Sequence, residues 1–176
     1  MSIERDLVVP GIIQRGGRWA VFSADGPGYT LAARSALGPD AEITVFEREK
    51  RVATRLANTL ATTAGASNVH VRQGSVTEPH DLKELDGVVA AQVLHDIPLE
   101  DQQQALSMLV NSLRKAGSLL FIEVEQARGS LRIRYPVNYE SFEYFAGLLG
   151  LRDVRRVALT PTGWWSTAYA ALGFRA

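Results

Sequence analysis

The sequence predicts an α/β fold on a mostly parallel sheet, and three observations carry that expectation. Strand-length runs recur at Trp19–Phe22, Ile43–Phe46, Val69–Arg72, Gly87–Ala91 and Ser118–Glu123. Between them lie segments with helical spacing, clearest in Val52, Leu56 and Leu60 and in Leu106, Leu109, Val110 and Leu113. The first two runs are joined by a small, glycine-bearing loop (Ser23 to Gly28) and a short helical stretch, and the second run ends on an acid, Glu47. Strand, tight loop, helix, strand and carboxylate form the first half of a nucleotide-binding unit.

Each element follows in order. Leu7, Val8, Val9, Ile12 and Ile13 suit a short helix or an extended arm before Gly16-Gly17 breaks the chain. Gly26 and Gly28 lack Cβ atoms, so the loop after the first strand can turn sharply and admit a ligand. Tyr29–Leu37 is the first core helix, and Gly38, Pro39 and Asp40 turn the chain into the second strand. Lys50–Ala64 is the next helix, stopped by Gly65. Gly74-Ser75-Val76 follows the third strand, and Glu78–Asp86 is polar, a short helix or a loop. The fourth strand leads into Gln92-Val93-Leu94-His95-Asp96-Ile97-Pro98. Because open parallel sheets bind ligands beyond their C-terminal strand ends, His95 is expected beside a cleft. Leu99–Leu113 is a helix that Ala116-Gly117 should end, with the fifth strand beginning at Ser118. Glu125–Asn138 should lie over the cleft; Arg132 and Arg134, with Tyr135 beside them, would share a side if extended and could bind an anionic substrate, or form a solvated face. Tyr139–Leu149 is the last helix, and Asp153–Leu159 and Trp165–Ala171 are β runs around a turn at Thr160–Gly163.

Composition narrows the function classes. The chain of 176 residues suits one domain, 1–176, with an arm at 1–17 and a core at 18–176. Acids and bases balance at 19 each, so neither nucleic acid nor an acidic membrane is an expected partner. There is no Cys, which removes thiolate chemistry and disulfides. No run is long enough to span a membrane and no signal pattern opens the chain, so a cytoplasmic location is expected. His70, His80 and His95 are dispersed without metal-ligand spacing, so no metal is expected. A dinucleotide fingerprint would place a third glycine at Leu31, and no phosphate-cradling P-loop is present. A ligand with adenosine and ribose but no phosphate fits better, and a nicotinamide-dependent oxidoreductase is disfavoured.

The stretch "GPGYT…ALGPDAEITVFER" resembles motif I and the acidic loop of class I S-adenosylmethionine-dependent methyltransferases, and "LHDIPLEDQQQALSMLVNSLRKAGSLLFIE" resembles the same family around its fourth and fifth strands. The resemblance runs from Arg18 to the C-terminus. It implies a Rossmann-like, doubly wound, mostly parallel seven-stranded sheet with an antiparallel last strand and helices on both faces. It implies S-adenosylmethionine as cofactor and carries cofactor-site positions onto Ala24, Asp25, Gly26, Gly28, Glu47, Arg48, Ser75, Val76 and Gln92. Glu47 would accept both ribose hydroxyls. Motif I departs from the family at Ala24, in place of the first glycine, and at Phe22, in place of the strand-end acid; Asp25 is the nearest carboxylate in sequence. Ser75 likewise replaces the acid usual at the adenine loop. His95-Asp96 resembles the His-Asp of small-molecule O-methyltransferases, which makes His95 a candidate general base or, alternatively, a pocket-lining residue; Asp96 reads equally as a helix-initiating acid. Two functions follow: a small-molecule methyltransferase, or a methyltransferase fold that binds or scaffolds without methyl transfer. A cleft without an N-terminal cap also raises a homodimer as an expectation.

Overall fold

The computed structural model describes residues 2–23, 26–63, 67–131, 133–162 and 166–176. A short helix α1 (Ile3–Val8) and a 3-10 turn (Val9–Gly11) precede β1 (Arg18–Ser23), α2 (Gly28–Leu37), β2 (Glu42–Glu47), α3 (Lys50–Thr62), β3 (Val69–Gln73) and β4 (Leu85–Ala91). Then come α4 (Leu99–Ser112), β5 (Leu113–Val124), α5 (Tyr139–Leu148), β6 (Leu151–Pro161) and β7 (Thr167–Arg175). The seven strands form one sheet in the order β3-β2-β1-β4-β5-β7-β6. All neighbours run parallel except at β7, which is antiparallel to both β5 and β6. The chain moves outward from β1 to β3, then returns to pair β4 with β1. That reversal between β1 and β4 opens a crevice at the strand ends.

The two faces of the sheet are covered differently. One carries Leu7 and Val8 of α1, Tyr29, Ala33 and Leu37 of α2 and Leu56 and Leu60 of α3, packed on Trp19, Val21, Ile43, Val45, Leu120 and Ile122. The other carries Leu106, Leu109 and Val110 of α4 and Phe142 and Ala146 of α5, packed on Phe22, Phe46, Val88, Leu119, Phe121 and Tyr169. Phe121 and Phe142 stack with centroids 4.3 Å apart. Burying side chains of this size contributes roughly 1.5–3 kcal/mol each. Tyr169 is fully buried, and its hydroxyl donates to the Val137 carbonyl at 2.7 Å. Burial first, then the Glu123 and Glu125 carboxylates, pushes that phenol far above its usual range. At the opposite end of the strands, Asp86 ties three of them together: it accepts from the Arg18 N–H at 2.8 Å and from the Arg114 Nε at 2.7 Å. Burial alone would raise the Asp86 carboxyl, but those two donors outweigh it and hold it low.

Several boundaries differ from the sequence expectation. Helix α4 ends at Ser112, and Leu113–Gly117 belong to β5 instead of to a helix end. The register jumps from Leu85↔Leu113 to Gly87↔Ser118, and Ala116 takes a left-handed φ of 59° within that bulge. A small residue and a glycine in sequence resemble a helix stop, yet here they mark a strand irregularity. Leu85 and Asp86, expected in a polar connection, start β4. β6 begins and ends two residues beyond its expected run and carries exposed Arg152, Arg155 and Arg156, whereas β7 runs on to Arg175 and is buried along most of its length. The Ser130 N–H donates to the Ile133 carbonyl at 2.7 Å, and the Ile133 N–H donates back to Ser130 Oγ at 3.2 Å. Gly65, Trp165 and Arg132 lie outside the described residues, as do Ala24 and Asp25.

Candidate functional site

The crevice at the C-terminal ends of β1 to β4 is a cleft of about 780 Å³, its open mouth included. Phe22 and Phe46, neighbours across β1 and β2, stack with centroids 4.6 Å apart and form its floor. Val52, Val76, Val93 and Ile97 add apolar walls, and Glu47, Arg48, Ser75, Gln92 and Asp96 add polar ones. Of the residues expected at a cofactor site, Glu47, Arg48, Ser75, Val76 and Gln92 therefore come together in one cleft.

Glu47 closes β2. The residue is 8% exposed, and Oε1 accepts from the Glu49 N–H at 3.0 Å. That is one bond for a carboxylate able to accept about four. The Ser75 N–H donates to Glu78 Oε2 at 3.1 Å, and the Ser75 and Thr77 hydroxyls are 2.8 Å apart, so this loop is stiffened by its own side chains. Gln92 has a left-handed φ of 56°, a conformation that costs a non-glycine residue roughly 1–2 kcal/mol. Its N–H is held by the Ile122 carbonyl at 2.8 Å, so the chain turns out of the sheet at the cleft wall. Asp96 lines the cleft, whereas the acids in the first turn of α4 are Glu100 and Asp101.

His95 stands just past the cleft wall and is not among its lining residues. Its Nδ1 is 2.8 Å from Oε2 of Glu123, which is fully buried near the end of the neighbouring β5. Glu123 Oε1 also accepts from the Leu94 N–H at 2.9 Å. An ionised carboxylate only accepts, so this contact fixes the orientation of the ring through Nδ1. Buried Gln102 of α4 donates through Nε2 to the carbonyls of Leu94, Ile97 and Tyr135, and the Tyr135 N–H donates to the His95 carbonyl at 2.9 Å. Tyr135 is thus joined to the His95 loop by its backbone. Arg134 is exposed and not part of the cleft lining.

The two motif glycines have different reasons to be glycine. Gly26 has φ 78° and open space where a Cβ would stand. At Gly28 a Cβ would meet the side chain of Glu4, 2.9 Å from both Cγ and Oε1. The space expected to admit a ligand is occupied by a carboxylate of α1. His80 packs beside the cleft floor, 5.7 Å from Phe22 and 5.6 Å from Phe46 between centroids. Both its ring nitrogens are buried without a hydrogen-bond partner among the described residues. Burial, and to a lesser degree Arg72, lowers its pKa against the opposing pull of Asp81.

Sequence reasoning did not find the roles of Glu123, Glu4 and Gln102. Glu123 had a usable signal, since an acid ending the strand beside β4 must face the residues that follow β4. Glu4 and Gln102 had none.

With this geometry established, comparison with known proteins gives the class. The family model described as "Methyltransferase domain" matches residues 24–121, more than half of the chain. The chain belongs to this family, within the class I S-adenosylmethionine-dependent methyltransferase superfamily. The CurJ carbon methyltransferase superposes with a TM-score of 0.74 at 14% identity, over 92% of this chain and 49% of that one. The human N-acetylserotonin methyltransferase, solved with SAM, gives 0.70 at 18% identity over 98% and 51%. An O-methyltransferase family 2 protein from Planctomyces limnophilus, solved with apigenin, gives 0.69 at 17% over 92% and 52%. At these identities the likeness shows the fold, and the chain spans about half the length of these solved relatives. No curated protein matches the chain at significance. Among the described residues no helix is long and apolar enough to cross a membrane.

Proposed function

We propose that the chain is an S-adenosylmethionine-dependent methyltransferase acting on a small molecule. The observation that carries this reading is Glu47: a nearly buried carboxylate with spare acceptor capacity at the tip of β2, inside a cleft floored by aromatic rings. The residues suit the cofactor. The cleft has the lining usual for small-molecule sites, apolar walls with a few polar groups. Glu47 would hold the ribose hydroxyls, Ser75 and Val76 would border the adenine, and Arg48 and Gln92 would close the sides. Gly26 supplies the sharp turn after β1; Ala24 and Asp25 keep the assignment that the family pattern gives them. When bound, the cofactor supplies an activated methyl group open to in-line displacement.

The chain's own residues supply the base and its orientation. Glu123 fixes the His95 ring through Nδ1, and His95 would take a proton from a substrate hydroxyl or amine. General-base catalysis of this kind contributes roughly 10²–10⁴-fold, so His95→Gln should keep cofactor affinity and lose turnover by about that factor. Arg132, Arg134 and Tyr135 would meet an anionic substrate group at the outer edge.

Calorimetric titration with S-adenosylmethionine and S-adenosylhomocysteine, beside Glu47→Ala, tests the reading. Micromolar binding that the variant loses supports it. No heat and no thermal shift at millimolar ligand favour the second reading, a methyltransferase fold without methyl transfer. Phe22 is the observation on that side, since an apolar ring stands where the family has an acid. A cytoplasmic homodimer acting without nucleic acid or membrane completes the proposal. The exposed Tyr144 and Leu148 of α5 support self-association. A monomer by light scattering at roughly tens of micromolar would remove that part.

A further inference from the structure

The first turn of α2 lies at the end of β1, where the cleft reaches Ser23; the Ser23 hydroxyl leans on the Gly26 carbonyl at 3.5 Å. Three observations meet there. Among the described residues no side chain caps this helix by a hydrogen bond, and its first turn contains no acid. Thr30, in the same turn, is fully buried with a hydroxyl that has no partner among the described residues. Gly28 leaves room that is filled by the Glu4 carboxylate, delivered from a different helix. The helix α1 that carries Glu4 is itself anchored: Leu7 and Val8 are fully buried, and Gly11 packs flush on Leu120. The strand-end position that precedes this loop is Phe22, buried in its stack with Phe46. The carboxylates that line the cleft, Glu47, Glu49 and Asp96, follow β2 and β4 instead.

We propose that Glu4 receives the ammonium group at the amino-acid end of the cofactor, so that α1 completes the binding site across Gly28. This deepens the cofactor reading above and rests on it. Chemically, a zwitterionic amino-acid end needs an anion for its ammonium and N–H donors for its carboxylate. A helix N-terminus supplies the donors, and Glu4 brings the anion to the same turn. The glycine at 28 is required because any side chain there would displace Glu4.

The test compares two probes on the full chain. S-adenosylhomocysteine carries the amino-acid end; 5'-methylthioadenosine has the same nucleoside thioether without it. Glu4→Gln should weaken the first by roughly tenfold or more and leave the second within about twofold, since one charge-assisted hydrogen bond is at stake. Glu4→Asp, which keeps the charge on a shorter stem, should fall between. Melting temperatures of both variants report on α1 separately. Equal losses for both probes, an unchanged homocysteine affinity, or tighter binding by Glu4→Gln would overturn the inference. So would a selective loss from Asp25→Asn with none from Glu4→Gln. If the native chain binds neither probe, the cofactor reading itself falls, and this inference falls with it; binding of both probes without selectivity in Glu4→Gln removes only the latter.

Discussion

Glu47 ends β2, and Glu123 sits one residue before the end of β5. Both are strand-end carboxylates at the same edge of one sheet, both nearly or fully buried, and their surroundings differ. Glu47 accepts one backbone N–H and lines an open cleft. Glu123 accepts from Leu94 and Val124 N–H groups and from the His95 ring, with no exposure at all. The difference teaches what burial of an acid is for. A saturated carboxylate fixes other groups in place, and an unsaturated one beside a cavity has capacity left for a ligand.

That contrast can be broken by mutation. The largest effect should come from Glu123→Ala, which strands the Leu94 N–H and unties His95. It should lower stability by about 3 kcal/mol, or roughly 6–12 °C in Tm, read by thermal or urea unfolding. Glu47→Ala should lose less than about 1.5 kcal/mol, so equal losses would erase the distinction. Affinity should invert the order: Glu47→Ala loses S-adenosylhomocysteine binding by at least tenfold, about 1.4 kcal/mol, while Glu123→Gln stays within about threefold. A smaller loss, about 1–2 kcal/mol, is expected in stability from Gly26→Ala, because φ 78° is strained for any residue with a Cβ. A Cβ at Gly26 would meet no atom within 4 Å among the described residues, so the loss should come with unchanged far-ultraviolet circular dichroism.

The smallest effect is a pH dependence at the Glu47 end. Burial holds His80 neutral in the folded chain, with its pKa below the ordinary value, while the unfolded chain takes up the proton near about pH 6.5. The unfolded state therefore binds more protons as pH falls through that value. Stability is full above it and declines as pH drops towards the lowered folded pKa. His80→Phe, set among Phe22 and Phe46, should shrink the decline in Tm measured between about pH 7.5 and about pH 5.5.

Much of this was legible in the sequence. The strand runs and helical periods located the strands and helices of the core, and the acid that ends the second run, Glu47, lines the cleft. What escaped did so for physical reasons. Lys115-Ala116-Gly117 resembles a helix end, and only pairing with β4 reveals a bulge. The His95–Glu123 bond joins residues 28 apart in sequence and exists because β4 and β5 are neighbours. Gly28 carries a family pattern, but nothing local to it says that Glu4 fills its space. Arg132 and Arg134 would share a side if extended, and nothing local to them announces the pair of hydrogen bonds that Ser130 and Ile133 form with each other.

Gln102 has one amide that fastens the loop after β4 to the segment after β5. For anyone engineering new substrate preference, the two segments are therefore a single cassette. Grafting either loop from a relative would need its partner and the α4 residue between them, and a chimaera that exchanges only one would leave carbonyls facing an amide cut for a different shape.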